Sequence, residues 1–224
     1  MATVHALVPA GGRGERFGGE RTKLLWVVGG KPVLAWTLER LAGRTASVTV
    51  AVPAELLAEV ADAVPAGERV HWVSGGETRQ ESVAACLTGC PAAARDWVLV
   101  HDGARPALHA EDLAAAVAAA GEADGAVLGR PVSDTLKLVA GGHIQGTVDR
   151  SFLFRAETPQ VFSRELLERA LAAAAESRFV GTDEASLVER LPGVRIAAVA
   201  ARHPNPKLTT PADLPWIEAL LGGR

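Results

Sequence analysis

"LVPAGGRGERFGGERTKLLWVVGGKPVL", residues 7–34, decides how this chain is read. Its first residues complete an apolar run, 4–9, with the composition of a strand. A loop dense in glycine and arginine follows, and a lone Lys23 then precedes a further apolar stretch. A strand feeding such a loop raises three possibilities: a dinucleotide site, the tail of a nucleoside triphosphate, or a turn that holds nothing.

The rest of the chain sets the frame. Apolar, β-branched runs recur at 4–9, 47–52, 69–73, 97–101 and 125–131, and segments with helical spacing lie between them at 33–42, 54–64, 78–88 and 111–120. This alternation predicts βαβ units: an α/β, Rossmann-like fold with a mostly parallel sheet flanked by helices. After Pro131 it breaks. Residues 132–150, "VSDTLKLVAGGHIQGTVDR", hold two runs, 135–139 and 143–148, around Gly141-Gly142, and read as an inserted β-hairpin arm. An arm adding little to the core pattern is expected to pack on a second subunit in a homodimer; the alternative is a hairpin folded back on its own domain. Helices near 164–176 and 182–190, a strand at 194–200 and a last helix from Pro211 complete the pattern. Residues 1–224 are read as a single domain carrying the 132–150 arm.

The frame tests the opening loop. Gly12, Gly14 and Gly18 approach the dinucleotide fingerprint, but the second strand ends in Val52-Pro53, without the acidic residue that would hold a ribose. Arg13 and Arg16 would also crowd a pyrophosphate needing close backbone approach. A Walker A string is absent from the sequence. A nucleotidyl-transfer loop fits better: glycine N–H groups meet phosphate oxygens, while Arg16 and Lys23 supply full charge where negative charge builds.

Composition narrows the partners. The 224 residues carry a net charge of −3 and are 48% hydrophobic, which argues against a generic nucleic-acid or membrane surface. No membrane span or signal peptide is read, and the chain is expected in the cytoplasm. Cys86 and Cys90 are expected as buried free thiols, since two soft ligands do not make a structural zinc site. Of 23 basic residues only Lys23, Lys31, Lys137 and Lys207 are lysine, so a retained lysine marks a place suited to a compact point charge.

Several motifs then occur in order: "PAGGRGERFG", "TKLL", "GGKPVL", "SGGETRQESV" (74–83), "VLVHDGARP" (98–106), "DTLK" (134–137), "TVDR" (147–150), "TPQVF" (158–162), "TDEAS" (182–186) and "NPKLTTPADL" (205–214). Together they resemble the 2-C-methyl-D-erythritol 4-phosphate cytidylyltransferase family of sugar-nucleotidyltransferase-like enzymes, over essentially the whole chain. The resemblance implies transfer of CMP from CTP to the methylerythritol phosphate, release of pyrophosphate, Mg²⁺, and a place in non-mevalonate isoprenoid synthesis. The nucleophile would be a phosphate oxygen already largely anionic at neutral pH, so no strong protein base is needed.

By motif match, Arg16 and Lys23 would stabilise the transition state and grip the triphosphate. Pro9, Ala10, Gly11 and Gly12 would face the nucleotide, and Gly76, Glu77 and Ser82 would frame cytosine and ribose. Asp102, with Gly103 and Ala104, would lie beside the nucleotide; Asp102 could touch the metal, which the triphosphate mainly holds. Arg150 and Lys207 would hold the acceptor phosphate for in-line attack, with Arg105 and Thr135 nearby. In the family the arm reaches into the partner, so Thr135 and Arg150 would complete a composite site.

Two departures stand out. A proline occupies a position before Lys207 where relatives carry Asp, and Gly103 replaces a usual Ala. The rival readings are a cytidylyltransferase for another polyol phosphate, such as ribitol 5-phosphate, and a non-catalytic CTP-binding module.

Overall fold

The computed structural model describes residues 3–11 and 22–222. The opening run is β1 (Val4–Pro9), whose alternate side chains enter two different cores. Ala6 and Val8 point to one face of the sheet and Leu7 to the other, and all three are fully buried. A strand buried on both faces reads as a continuous apolar run because each face carries helices.

Two short strands, β2 (Val27–Val28) and β3 (Lys31–Pro32), form a small ribbon before α1 (Val33–Ala42). The chain continues through β4 (Val48–Val52), α2 (Leu57–Ala63), β5 (Val70–Ser74), α3 (Arg79–Gly89), β6 (Trp97–Val100), α4 (Ala110–Glu122) and β7 (Gly125–Pro131). The arm strands β8 (Lys137–Ala140) and β9 (His143–Thr147) follow, then β10 (Phe154–Ser163), α5 (Arg164–Ser177), α6 (Glu184–Val188), β11 (Ile196–Ala200) and α7 (Leu214–Gly222). The main sheet has seven strands in the order β11-β7-β10-β6-β1-β4-β5. β10 runs antiparallel to both neighbours, whereas the other pairings are parallel. Side chains of α1, α4 and α7 fill one core, and those of α3, α5 and α6 fill the other.

β10 is the element the sequence pattern did not announce. Pro159 sits inside it, between buried Glu157, Thr158 and Gln160, and proline in a central strand ordinarily argues against a strand. A register shift against β7 between Ala156 and Gln160 accommodates it. Three helical expectations are also shortened. Residues 54–64 begin as a 3-10 turn, Ala54–Leu56, behind Pro53, with no side-chain cap to start a regular helix. Within 182–190 the helix is α6 alone, because the Asp183 carboxylate is the cap and accepts the Ser186 N–H at 2.9 Å. The final segment likewise opens with a 3-10 turn, Pro211–Asp213.

The hairpin arm is present. Gly141 and Gly142 take φ of 55° and 79°, the left-handed pair that a tight two-residue hairpin turn requires. Leu138, Val139 and Ile144 are 57–67% exposed, so the arm stands clear of its own domain rather than folding back on it. Cys86 and Cys90 are buried free thiols, and burial pushes Cys86 up to about 12.

Candidate active site

The carboxyl ends of β1 and β6 and the amino end of α3 enclose a cleft lined by Pro9, Ala10, Gly11, Lys23, Leu24, Glu77, Thr78, Arg79, Ser82, Asp102, Gly103, Ala104 and Lys207. Ligands in open α/β sheets bind at this end, outside the strand termini. The approach of β1 to α3 is close: a Cβ on Gly11 would lie 2.9 Å from the Ser82 hydroxyl oxygen. Glycine there keeps the backbone flush with the cleft wall. The α3 terminus is fixed by a reciprocal cap, in which Thr78 Oγ1 accepts the Glu81 N–H and the Glu81 carboxylate accepts the Thr78 N–H. Gly76 lies one step behind, its carbonyl accepting from Ser82 Oγ at 3.4 Å.

Asp102 is the hub. Its side chain is 8% exposed, and three cations surround it: Arg79 at 2.5 Å on Oδ1, with Lys207 at 3.0 Å and Arg105 at 3.2 Å on Oδ2. Burial alone would raise its carboxyl, but Arg79, Lys207 and Arg105 outweigh burial and hold it well below the usual carboxylate range. Arg79 also donates to the buried Glu184 carboxylate of α6 at 2.8 Å. Burial opposes the Arg79 charge, and the Glu184 and Asp102 carboxylates more than offset that opposition. Burial pushes Glu184 upward, against the pull of Arg79.

The backbone before Asp102 is fixed by neutral groups. The Asp102 N–H donates to Thr158 Oγ1 at 3.1 Å, and that hydroxyl contacts His101 Nδ1 at 2.9 Å, while His101 Nε2 meets the Arg105 carbonyl at 3.1 Å. A His neutral at Nδ1 satisfies all three contacts, accepting from Thr158 and donating to Arg105. Burial lowers His101 to about 4, which matches that neutral form.

The loop carrying Lys207 is tied to the Asp102 loop despite the proline substitution before it. Arg105 donates to the Asn205 carbonyl at 2.7 Å, Leu208 N–H donates to the Ala104 carbonyl at 2.8 Å, and the Asn205 amide reaches the Thr158 carbonyl at 3.2 Å. Beside the cleft a groove shares Arg79, Asp102 and Lys207 with it and adds Arg105, Glu157, Thr158, Gln160, Thr182 and Asp183.

A 2-C-methyl-D-erythritol 4-phosphate cytidylyltransferase family profile matches residues 4–223. The chain belongs to this family. It is 40% identical to the enzyme of that name from Syntrophotalea carbinolica over 225 residues, covering 98% of this chain and 96% of the relative. The Parasynechococcus marenigrum enzyme is 44% identical over 229 residues, with 99% of each chain covered. The crystal structure of the Thermus thermophilus enzyme superposes with a TM-score of 0.82 at 34% identity, covering 98% of both chains.

Within that family frame, the cleft gathers Pro9, Ala10, Gly11, Lys23, Glu77, Ser82, Asp102, Gly103, Ala104 and Lys207, with Gly76 and Arg105 directly behind. Gly12 and Arg16 lie outside the described residues. Thr135 and Arg150 are not brought to the cleft. Both are exposed at the root of the arm, where the Arg150 guanidinium donates to the Ser133 carbonyl. Sequence reasoning missed Arg79, Glu184 and Thr158. Arg79 had a signal: it opens α3, where the helix dipole disfavours a cation, so it needs carboxylate partners. Glu184 lay inside "TDEAS" with nothing in the sequence to pair it with Arg79.

Proposed function

We propose that this chain transfers CMP from CTP to the phosphate of 2-C-methyl-D-erythritol 4-phosphate, giving 4-diphosphocytidyl-2-C-methyl-D-erythritol and pyrophosphate. The observation that carries this reading is the convergence of Lys23 and Lys207, far apart in sequence, on one cleft around Asp102. In the reaction a phosphate oxygen of the acceptor bonds to the α-phosphorus of CTP, and the bond from that phosphorus to the oxygen bridging to the β-phosphorus breaks. Two polyanions must meet, so the work falls to fixed cations and geometry rather than to a base.

In this assignment Lys23 grips the triphosphate, together with Arg16 by its place in the motif. Gly11 and Ala104 admit the nucleotide, and Gly76, Glu77 and Ser82 face its base and sugar. Lys207 and Arg105 receive the acceptor phosphate. Thr135 and Arg150 serve the acceptor of the partner subunit in a homodimer, which accounts for an apolar arm standing away from its own cleft. The reading places the enzyme among soluble substrates in the cytoplasm.

Magnesium is proposed to enter with CTP. Both oxygens of Asp102 are already held by cations, so the described cleft is no ready-made oxygen cage for the ion. When bound with the triphosphate, Mg²⁺ would neutralise part of its charge. The test is pyrophosphate release from CTP with a panel of polyol phosphates. Turnover with the methylerythritol phosphate and not with ribitol 5-phosphate is the expected result. Turnover with ribitol 5-phosphate alone would reassign the acceptor, and none with any acceptor would leave a nucleotide-binding module.

A further inference from the structure

Away from the cleft, ligand-type side chains gather where the loop preceding Lys207 meets the start of α4. His109, Glu111 and His203 each bring one ligand atom within 4.8 Å of the other two. His109 caps α4, its Nδ1 accepting the Glu111 N–H at 3.4 Å. Its ring stacks on that of His203, with centroids 3.6 Å apart and planes 21° from parallel. Behind them Asp112, 2% exposed, accepts the backbone N–H groups of Arg202 and His203 at 2.8 and 3.0 Å and faces His203 Nδ1 at 3.3 Å. A buried carboxylate on Nδ1 fixes the ring and its tautomer and makes Nε2 the ligand atom, as in carboxylate–histidine–metal arrangements.

We propose that His109, Glu111 and His203 form a binding site for a divalent transition metal, with zinc as the reference ion and Asp112 as the outer carboxylate. Two imidazoles and one carboxylate suit zinc, nickel or copper rather than magnesium or calcium. Zinc binds imidazole nitrogen at about 2.0–2.1 Å along the in-plane lone pair, and the lone pairs of two rings stacked 21° from parallel do not converge on one ion. The stacked rings must therefore splay on their side-chain torsions when the ion enters. A bound ion links the head of α4 to the segment carrying Lys207, which Arg130 already anchors by donating to the His203 carbonyl. The site is separate from the one the proposed reaction uses: none of its three ligands lines the cleft.

The test uses the whole chain, stripped with chelator and without CTP, titrated calorimetrically with zinc chloride and, separately, magnesium chloride. One zinc per chain is expected, with no magnesium binding. Affinity should fall about tenfold or more in His203→Ala and in His109→Asn, the second chosen because asparagine keeps the helix cap. Circular dichroism of the metal-free variants should match the parent. With Cu²⁺ as probe, the electron paramagnetic resonance spectrum should show coupling to two imidazole nitrogens, and to one in His203→Ala. Zinc affinity unchanged in both variants, no saturable zinc binding, or a copper signal without imidazole nitrogen would each overturn the assignment.

Discussion

Replacing Arg79 by methionine isolates the ion-pair chain that runs from α6 through α3 to the end of β6. The guanidinium bridges two carboxylates whose side chains are 8% and 3% exposed, Asp102 at 2.5 Å and Glu184 at 2.8 Å. Its removal does not affect them equally. Asp102 retains Lys207 at 3.0 Å and Arg105 at 3.2 Å, while Glu184 loses its ion pair and remains buried against the second core. Breaking one side of a buried pair costs about 3–5 kcal/mol, and the lower end applies because Asp102 stays compensated. Arg79→Met should therefore lose about 3 kcal/mol, read as a fall in the urea midpoint at unchanged m. Glu184→Gln alone should lose about 1 kcal/mol, since Arg79 keeps Asp102. The double variant should lose about 2 kcal/mol rather than the summed loss, an interaction energy of about 2 kcal/mol. An Arg79→Met loss under about 1 kcal/mol, or strict additivity in the double variant, would refute the claim that Arg79 compensates the buried Glu184 carboxylate.

Lys23→Ala should lower turnover about a hundredfold or more while the unfolding midpoint stays near the parent; near-normal turnover would remove the lysine from the triphosphate role. Heterodimers assembled from Lys23→Ala and Arg150→Ala chains should recover part of the activity that either homodimer lacks. No recovery in verified heterodimers would mean that each site is built from one chain. His101 titrates near 6.5 when unfolded and at about 4 when folded, so the unfolded state binds the extra proton between those values. Its contribution, about 3 kcal/mol, is fully present above 6.5 and is lost as the pH falls towards 4. His101→Asn should flatten the pH dependence of stability in that window, and an unchanged slope would contradict the buried neutral ring.

How much of this was legible beforehand follows from which force set each element. β1, α1 and β7 were readable to the residue because burial on a sheet face or helix stripe leaves a periodic record in sequence. β10 left none. Its central residues, Glu157, Thr158, Pro159 and Gln160, are polar or ring-closed, and each polar side chain has a task elsewhere. Glu157 takes Arg155 at 3.0 Å, Thr158 fixes Asp102 and His101, and Gln160 donates to Asp183 at 2.7 Å and accepts the Ala185 N–H. Local propensity fails there because these four residues frame the cleft, while the strand's apolar burial falls on Val161 and Phe162.

The same logic explains why the cleft's cations were partly found and its geometry was not. Lys23 and Lys207 stood out as rare lysines in an arginine-rich chain, yet nothing in their spacing says that both line one cleft or that Lys207 faces a buried aspartate. With Oδ1 paired to Arg79, Asp102 holds Lys207 and Arg105 on its other oxygen. In the proposed reading, a dianionic acceptor in the adjoining groove would take contacts from a carboxylate that stays compensated by Arg79 on its far side. The reorganisation left to the chemical step would then be small, because the positive charge of Lys207 and Arg105 is already fixed at Asp102.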